Sequence, residues 1–593
     1  ATSITLAIVF LPIIFLQGFV GRLFREFGIV VAGAVLISAF VSLTLTPVLN
    51  VYLAGKSHKH SWFYTATEPF FRSLENGYRR TLNGFMKWRW LAPVIIIACF
   101  SLIYFVGNTL QSELAPMEDK SGFRLSVTAP EGTSYDAMDK FMDKLSQFLL
   151  DSITEKKYLV SLTAPGFTGS GSSNSGFVRV VLVNPSERKR SQQDVVDWVN
   201  KKVGRFNEGR AFAIQEQTIS VNRRGGQPVQ FVLQNVDPEK IKKVLPQFLE
   251  EANKSDVLLG VDADLKFNKP ELRITIDRMK ASALGVSIDD ISETLQLSMS
   301  NRRMGYFTRA GKQYQVLGQV VRSDRDDPSD LKSIYVRNNR GDAIALENLI
   351  TYSEEVTPPT IYHFNRYRSA TISSGLQPGK TVGDGIKVMQ DISKKLLDES
   401  FSTALSGSSR DFAESSGNTS FAFILALVLI FLVLAAQFES FIDPFTIMFT
   451  VPLALAGAVI SLWLFNQTLN IFSQIGMIML IGLVTKNGIL IVEFANQKQL
   501  AGNKKIPAVI EASVARFRPI IMTSLAMSLG ALPLALSLGD ASTSRIPLGI
   551  VIVGGVMFSL ILTLFVIPAM YSYLSTKKKR SALDDIPPAA TQV

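Results

Sequence analysis

The sequence predicts a multi-pass α-helical membrane protein with a large external α+β region, and two observations carry that prediction. Apolar runs long enough to cross a hydrocarbon core of about 30 Å recur at both ends of the 593-residue chain. Between them lie roughly 310 residues in which strand-like and helix-like periodicities alternate. The composition agrees: 47% apolar and 19% charged residues with a mean hydropathy of +0.22 are greasier than an ordinary soluble protein, and they exclude disorder and collagen-like repeats. The one cysteine, Cys99, sits inside an apolar run, which excludes a disulfide scaffold, a cysteine-based metal cluster and redox chemistry.

Eight spans are predicted, over residues 3–20, 28–49, 91–108, 418–437, 443–465, 472–495, 519–538 and 546–572. If they alternate, one side of the membrane receives the segment 51–90, the turn 437–443, the segment 497–518 and the tail, which together hold 16 basic residues. The other side receives short turns with only Arg22, Arg25 and Arg545, plus the large middle region, so the tail with Lys577, Lys578, Lys579 and Arg580 is assigned to the cytoplasm. Segment 51–90 reads as a cytoplasmic or interfacial helix, ending in a headgroup anchor of Trp88 and Trp90 beside Lys87 and Arg89. The net charge of +11 does not point to nucleic acid, because residues 108–417 hold 41 basic against 40 acidic side chains.

Within the external region, a strand at Phe123–Thr128 precedes Pro130-Glu131-Gly132 and an amphipathic helix at 134–150. Strand signals around 159–162 and 177–183 and a helix at 192–206 follow, a split βαβ pattern. A second module starts at Val229–Leu233, continues through a helix near 238–252 and reaches a strand at Glu271–Ile276. Residues 303–321 alternate around Arg309-Ala310-Gly311-Lys312, which predicts a projecting hairpin. The boundaries are 109–226 for the first module, 227–278 and 359–416 for the two parts of the second, and 279–358 for the hairpin subdomain.

Two spans repeat without gaps at an offset of 521: Gly28-Ile29-Val30 matches Gly549-Ile550-Val551, Gly33 matches Gly554, Ser38 matches Ser559, Leu43 matches Leu564 and Pro47 matches Pro568. The preceding segments match as well, Thr2-Ser3 with Thr523-Ser524 and Leu11-Pro12 with Leu532-Pro533. Subtracting 521 from the span that starts near 91 leads to the expectation of about 430 further residues before Ala1, with four more spans and a second external region. The chain, which opens without a signal-peptide pattern, therefore reads as part of a longer polypeptide.

Polar residues inside the spans are the candidate functional groups. Lys486 lies near the centre of the sixth span, in Gly482-Leu483-Val484-Thr485-Lys486-Asn487-Gly488. An ammonium at mid-bilayer costs about 2.5 to 3.5 kcal/mol and calls for a carboxylate partner or a watered path; snorkelling to a surface is the alternative, at the limit of its reach. Glu493 lies nearly two turns on, toward the cytoplasmic end, as an interfacial residue or a relay member. Arg516 and Arg518 open the seventh span, for which interfacial anchoring is one reading. Thr523 lies deeper, where its hydroxyl either bonds its own backbone or bridges a proton path.

Four segments, Gly482–Asn496, Arg516–Leu525, Pro270–Ile288 and Leu114–Asp119, resemble in order the second part of a resistance-nodulation-division (RND) transporter of the AcrB-like hydrophobe and amphiphile efflux branch. The resemblance covers essentially the whole chain. It implies transmembrane helices 5 and 6 in residues 1–50, helix 7 in 91–108 and helices 8 to 12 in 417–572, with ferredoxin-like porter modules and a docking hairpin between them, and a cytoplasmic tail at 573–593. The helix bearing the family's paired aspartates would precede Ala1. By the same resemblance Lys486, Arg516 and Thr523 take the places of the proton-relay lysine, arginine and threonine.

Segment 162–177 resembles the switch loop and deep drug pocket, with Leu162, Phe167 and Phe177 as candidate substrate-binding residues, although a Gly/Ser-rich loop flanked by aromatics also describes a surface turn beside a core. The implied activity is proton-driven export of hydrophobic and amphipathic compounds by an inner-membrane homotrimer working with a periplasmic adaptor and an outer-membrane channel, with no cofactor and no covalent chemistry. Metal-ion export is a rival, but only His58, His60 and His363 are available, and Met138 and Met142 have the spacing of core residues. A non-transporting receptor or lipid-sensing protein with a related membrane domain is a second rival, disfavoured by Lys486. No Walker-type phosphate loop or nucleophile motif supports an enzyme.

Overall fold

The computed structural model describes residues 2–15, 18–53, 62–165, 173–219, 226–358, 360–537 and 543–575. At the start of the chain are α1 (Thr2–Val9), α2 (Leu11–Ile14), α3 (Gly18–Leu53), α4 (Trp62–Lys87) and α5 (Leu91–Thr109). The predicted first span, 3–20, is two short helices instead of one long one. Pro12 has no amide hydrogen to give the carbonyl four residues back, and the chain turns at Phe10 through an Ile13 N–H to Phe10 carbonyl bond of 3.2 Å. The short turn expected around Arg22 and Arg25 is also absent, because α3 runs unbroken through both.

The first external module comprises β1 (Gly122–Thr128), α6 (Tyr135–Ser152), β2 (Lys156–Thr163), β3 (Ser175–Leu182), α7 (Gln192–Val203) and β4 (Arg210–Gln215). Ser134 caps α6, and Ser191 caps α7 in a reciprocal box with Asp194, so both helices start where the sequence places them. The sheet order is β2-β3-β1-β4, all antiparallel, which completes the split βαβ topology with a last strand that the sequence reading had not identified. Its core alternates along β1, with Phe123, Leu125 and Val127 turned toward Met138, Met142 and Val199. A side chain on Gly176 would run into both methionines, so Met138 and Met142 are core.

The second module opens with β5 (Val229–Gln234), α8 (Pro238–Asn253) and β6 (Leu258–Ala263). The strand expected at Glu271–Ile276 exists as β7 (Lys269–Ile276), but it leaves the module to pair elsewhere, and β6 takes its place in the sheet. Next come α9 (Arg278–Ala283), α10 (Ile288–Met299), the hairpin β8 (Arg302–Arg309) and β9 (Lys312–Gly318), the short pair β10 (Tyr335–Arg337) and β11 (Ala343–Ala345), and β12 (Ile350–Thr357). Strands β7 and β12 form a two-stranded antiparallel ribbon that leads to this subdomain and back. The hairpin turns on Ala310 and Gly311 at φ 50° and 74°, the left-handed pair that a two-residue hairpin loop needs. The return path through β13 (Tyr362–Phe364), β14 (Tyr367–Leu376), α11 (Val382–Leu396) and β15 (Ser402–Leu405) gives a sheet of order β13-β14-β5-β15, with β6 also on β14.

The chain then re-enters the apolar bundle through α12 (Gly407–Phe438), α13 (Ile442–Met448), α14 (Thr450–Leu464), α15 (Ile471–Leu500), α16 (Lys505–Ala535) and α17 (Ile546–Leu574). Seven segments among the described residues are long and apolar enough to cross a membrane: Phe24–Leu53, Leu91–Thr109, Gly407–Phe438, Ile442–Leu464, Ile471–Leu500, Lys505–Ala535 and Thr543–Leu574. Glycines set the close crossings. Gly554 and Gly457 bring α17 against α14, and Gly549 leaves no room for a side chain beside the backbone at Leu534 and Ala535. The 521-residue repeat recurs in space: Gly28 approaches Ile13 and Ile14, the counterparts of Leu534 and Ala535. Gly33, the counterpart of Gly554, has nothing within 4 Å.

Candidate functional site

Helix α15 is the axis of the membrane bundle. Asn470 caps its start, its side-chain oxygen accepting from the N–H groups of Phe472 and Ser473 at 3.0 and 3.1 Å. Gly482 allows Val9 and Leu6 of α1 to pack against it, and Gly488 does the same for Ile447 and Thr450. Lys486 lies between these two contacts, half-buried, with no ion pair among the described residues.

The adjoining residue links α15 to α16. The Asn487 amide donates to Ser524 Oγ at 3.2 Å, which fixes the register of the two helices beside Lys486 and Thr523. Asn487 Oδ1 and the hydroxyl of Ser528, one turn beyond Ser524, are buried and have no partner among the described residues. Arg516 and Thr523 are seven residues apart on α16 and so share a face about 10 Å apart along the axis. The Arg516 guanidinium stands 4.6 Å over the Phe494 ring, with Nε buried and unbonded among the described residues. Thr523 gives its hydroxyl to the backbone, at 3.0 and 3.1 Å from the Pro519 and Ile520 carbonyls. Arg518 points elsewhere, to Glu68 of α4 at 3.0 Å and over Phe71 at 4.5 Å. Arg72 and then Arg518 hold the Glu68 carboxyl below the usual range.

A further polar cluster lies toward the end of α15. The buried Asp443 accepts from Asn496 Nδ2 at 3.1 Å, Asn496 Oδ1 accepts from the Tyr571 hydroxyl at 2.6 Å, and Gln499 donates to that hydroxyl at 2.6 Å. It joins α13, α15 and α17.

In the external region, Leu162 of β2 and Phe177 of β3 are directly paired across the strands, on the sheet face opposite α6 and α7. The row continues through Ser126 of β1 to Phe212 of β4. Phe177 carries the Arg124 guanidinium at 5.8 Å from its ring centre. Phe167 and residues 169–172 lie outside the described residues, as do His58 and His60.

Phe212 also lines a cavity of about 420 Å³ between the two modules, bounded by α7 and β4 on one side and by Leu259 and the turn from β14 to α11 on the other. Its floor is Glu113, Leu114, Ala115 and Met117. Neither Leu162 nor Phe177 is among its lining residues. Sequence reasoning missed Glu113 and Phe212: one stands just ahead of the Leu114–Asp119 segment, and the other is in a strand whose neighbours Ala211 and Ala213 give a weak apolar alternation. Asn487 was within the segment read for Lys486, but its contact with Ser524 has no signature in sequence. Among the described residues no group of three or more metal-ligating side chains occurs.

Comparison with known proteins agrees with this architecture. The model of the AcrB/AcrD/AcrF family matches residues 1–575. The chain is 33% identical over 585 residues to an uncharacterized transporter of Haemophilus influenzae, with 97% of this chain and 56% of that protein covered. It is 32% identical over 583 residues to multidrug resistance protein MdtC of Proteus mirabilis and 30% identical over 592 residues to MdtC of Escherichia coli, covering 98% of this chain and 56% of each relative. The chain thus spans about half the length of the curated relatives it matches. A family match across nearly every described residue, on a bundle and external modules arranged as above, means that this chain belongs to the AcrB/AcrD/AcrF family of RND transporters.

Proposed function

We propose that the polypeptide containing this chain is a proton-driven exporter of hydrophobic and amphipathic compounds, acting as a homotrimer with a periplasmic adaptor and an outer-membrane channel. The chain is a multi-pass protein of the bacterial inner membrane with a periplasmic α+β region, and its work is transport rather than covalent catalysis. In this reading the eight segments counted from the sequence are helices 5 to 12, with the region α1–α2 as helix 5. Residues 109–226 and 227–278 with 359–416 are the porter modules, and 279–358 dock through the β8–β9 hairpin.

One observation carries the reading. Lys486 sits midway along the most buried long helix of the bundle, and no carboxylate on the described chain pairs with it. Such a cation is suited to compensating an acid pair that loads and releases protons, with Thr523 near the level of the Asn487–Ser524 contact and Arg516 over Phe494, about two turns along. The names of the MdtC relatives support drugs as cargo. Leu162 and Phe177 would offer apolar contact on the open sheet face, with Phe167, between them in sequence, as the third candidate and Phe212 leading from that face to the inter-module cavity. The test is Lys486→Met in the full-length protein: export is expected to vanish while membrane content and trimer assembly persist. Unchanged drug resistance at normal expression would sink the proposal.

A further inference from the structure

Three helices of the bundle are tied together near the turn from α4 into α5. Tyr78 of α4 stacks on Phe517 of α16 at 4.5 Å between ring centres, and its hydroxyl donates to the Leu564 carbonyl of α17 at 2.7 Å. From that anchor α4 leads to Arg89, α16 runs back to Lys505 and α17 runs on to Tyr573, each over about three turns. Their ends come together. The Arg89 guanidinium stands 4.7 Å over the Tyr573 ring, and the charge that acts on the half-buried Lys505 ammonium among the described residues is Arg89 itself.

Positive charge collects here without an acid to balance it. Neither Arg89 nor Lys505 makes an ion pair among the described residues. The three stretches of sequence that meet, 76–112, 497–510 and 544–583, contain no Asp or Glu, and the last holds Lys577, Lys578, Lys579 and Arg580. The first carboxylate of α16, Glu511, is taken by Lys498 at 3.3 Å. Lys504 and Lys505 also open α16, whose first turn has no acidic residue, so the helix dipole adds to the positive field instead of offsetting it. Two cations held within each other's field repel, and an anion between them turns that repulsion into two attractions.

The depth of the cluster indicates what such an anion is attached to. Trp88 and Trp90 flank Arg89 in sequence and are 61% and 54% exposed, the placement of an aromatic belt at headgroup level. Val94 and Ile97 follow on α5 and are exposed too, so an apolar wall begins within about two turns of the guanidinium. A water-borne anion has no use for that wall, whereas a phospholipid joins its phosphate to acyl chains.

We propose that Arg89, Lys505 and Tyr573 form a binding site for the phosphate of an anionic phospholipid, at the end of the bundle assigned to the cytoplasm. Arg89 offers its N–H fork to two phosphate oxygens, Lys505 adds a point charge, and Tyr573 holds the plane of the guanidinium. No residue assigned to the proton relay or to substrate takes part, and the site does not depend on the export reading.

The test uses the full-length protein, stripped of lipid in a neutral detergent and titrated with phosphatidylglycerol, phosphatidylcholine and inorganic phosphate, with bound lipid counted by native mass spectrometry. The parent is expected to prefer phosphatidylglycerol over phosphatidylcholine by about ten-fold in Kd. Arg89→Gln combined with Lys505→Gln should remove most of that preference, and Arg89→Lys should keep part of it. Arg80→Gln, which removes one charge from an exposed position of α4, should leave it within about two-fold. If the double variant does not assemble, Arg89→Gln by itself decides, with an expected loss of about three-fold. Equal binding of the two lipids by the parent, or an unchanged preference in the Gln variants of Arg89 and Lys505, would overturn the proposal. Equal loss in Arg80→Gln would reduce the cluster to a diffuse basic surface, and displacement of phosphatidylglycerol by millimolar inorganic phosphate would make the ligand a free anion; either result overturns it as well.

Discussion

Arg190 and Glu155 illustrate what one ion pair contributes to a periplasmic module. The guanidinium forks onto the carboxylate at 2.7 and 2.6 Å, and its other face lies 5.6 Å from the Trp198 ring, which stacks on Phe148. Arg190 holds the Glu155 carboxyl down to about 2, against 4.5 when unfolded. Because the folded value is the lower one, the stabilisation is present above about pH 4.5 and is lost as pH falls toward 2. Arg190→Gln is expected to destabilise the protein by about 1 to 2 kcal/mol at neutral pH, and the gap from the parent should narrow below about pH 4.5 and close as pH falls to about 2 in thermal melts taken across pH. A pH-independent gap would mean that the arginine acts through its packing on Trp198. At this scale Lys486 was legible from sequence because an ammonium in the middle of an apolar run is conspicuous. The place of Glu113 was not, because it is set by the cavity it lines and by the bond from Thr468, 355 residues away.

Among the elements, those with a chemical start signal were found where expected. Ser134, Ser191 and Asp237 each cap the helix that the sequence announces. Strands β4 and β6 were missed because small residues blur their patterns, Ala211 and Ala213 in β4 and Gly260 and Ala263 in β6, and each is fixed by its neighbour, β4 by β1 and β6 by β14. The misplaced role of β7 has the same origin: its pattern declares a strand, while its partner β12 lies some 80 residues on and is settled only by the whole subdomain. The hairpin turn offers a clean test, because Ala310 occupies the left-handed region at φ 50°, where an alanine is strained. Ala310→Asn should stabilise the hairpin by about 0.5 to 1 kcal/mol, read as slower amide hydrogen exchange in β8 and β9. No change in exchange would show that the turn carries no such strain.

For the molecule as a whole, the repeat assigns a place to what lies opposite α3. Gly554 is pressed against Ser461 of α14, whereas its counterpart Gly33 faces open space, and only 6% of the residues in an apolar 18-residue stretch of Phe24–Leu53 are buried. If the longer polypeptide supplies a counterpart of α14, Gly33→Leu should lower the yield of assembled full-length protein on size exclusion. The same change in the chain expressed by itself should leave its thermal stability nearly unaltered. Equal behaviour of the two would separate the sequence repeat from packing. The ribbon of β7 and β12 has a mechanical consequence. With eight residues in each strand, it is an arm about 26 Å long, clamped at one end in the second module and carrying the β8–β9 subdomain at the other. A tilt of roughly 10° at the clamped end sweeps the far end through about 5 Å, close to one strand spacing. Small rotations of that module are thereby geared up into displacements large enough to make or break a hairpin's grip on whatever it touches.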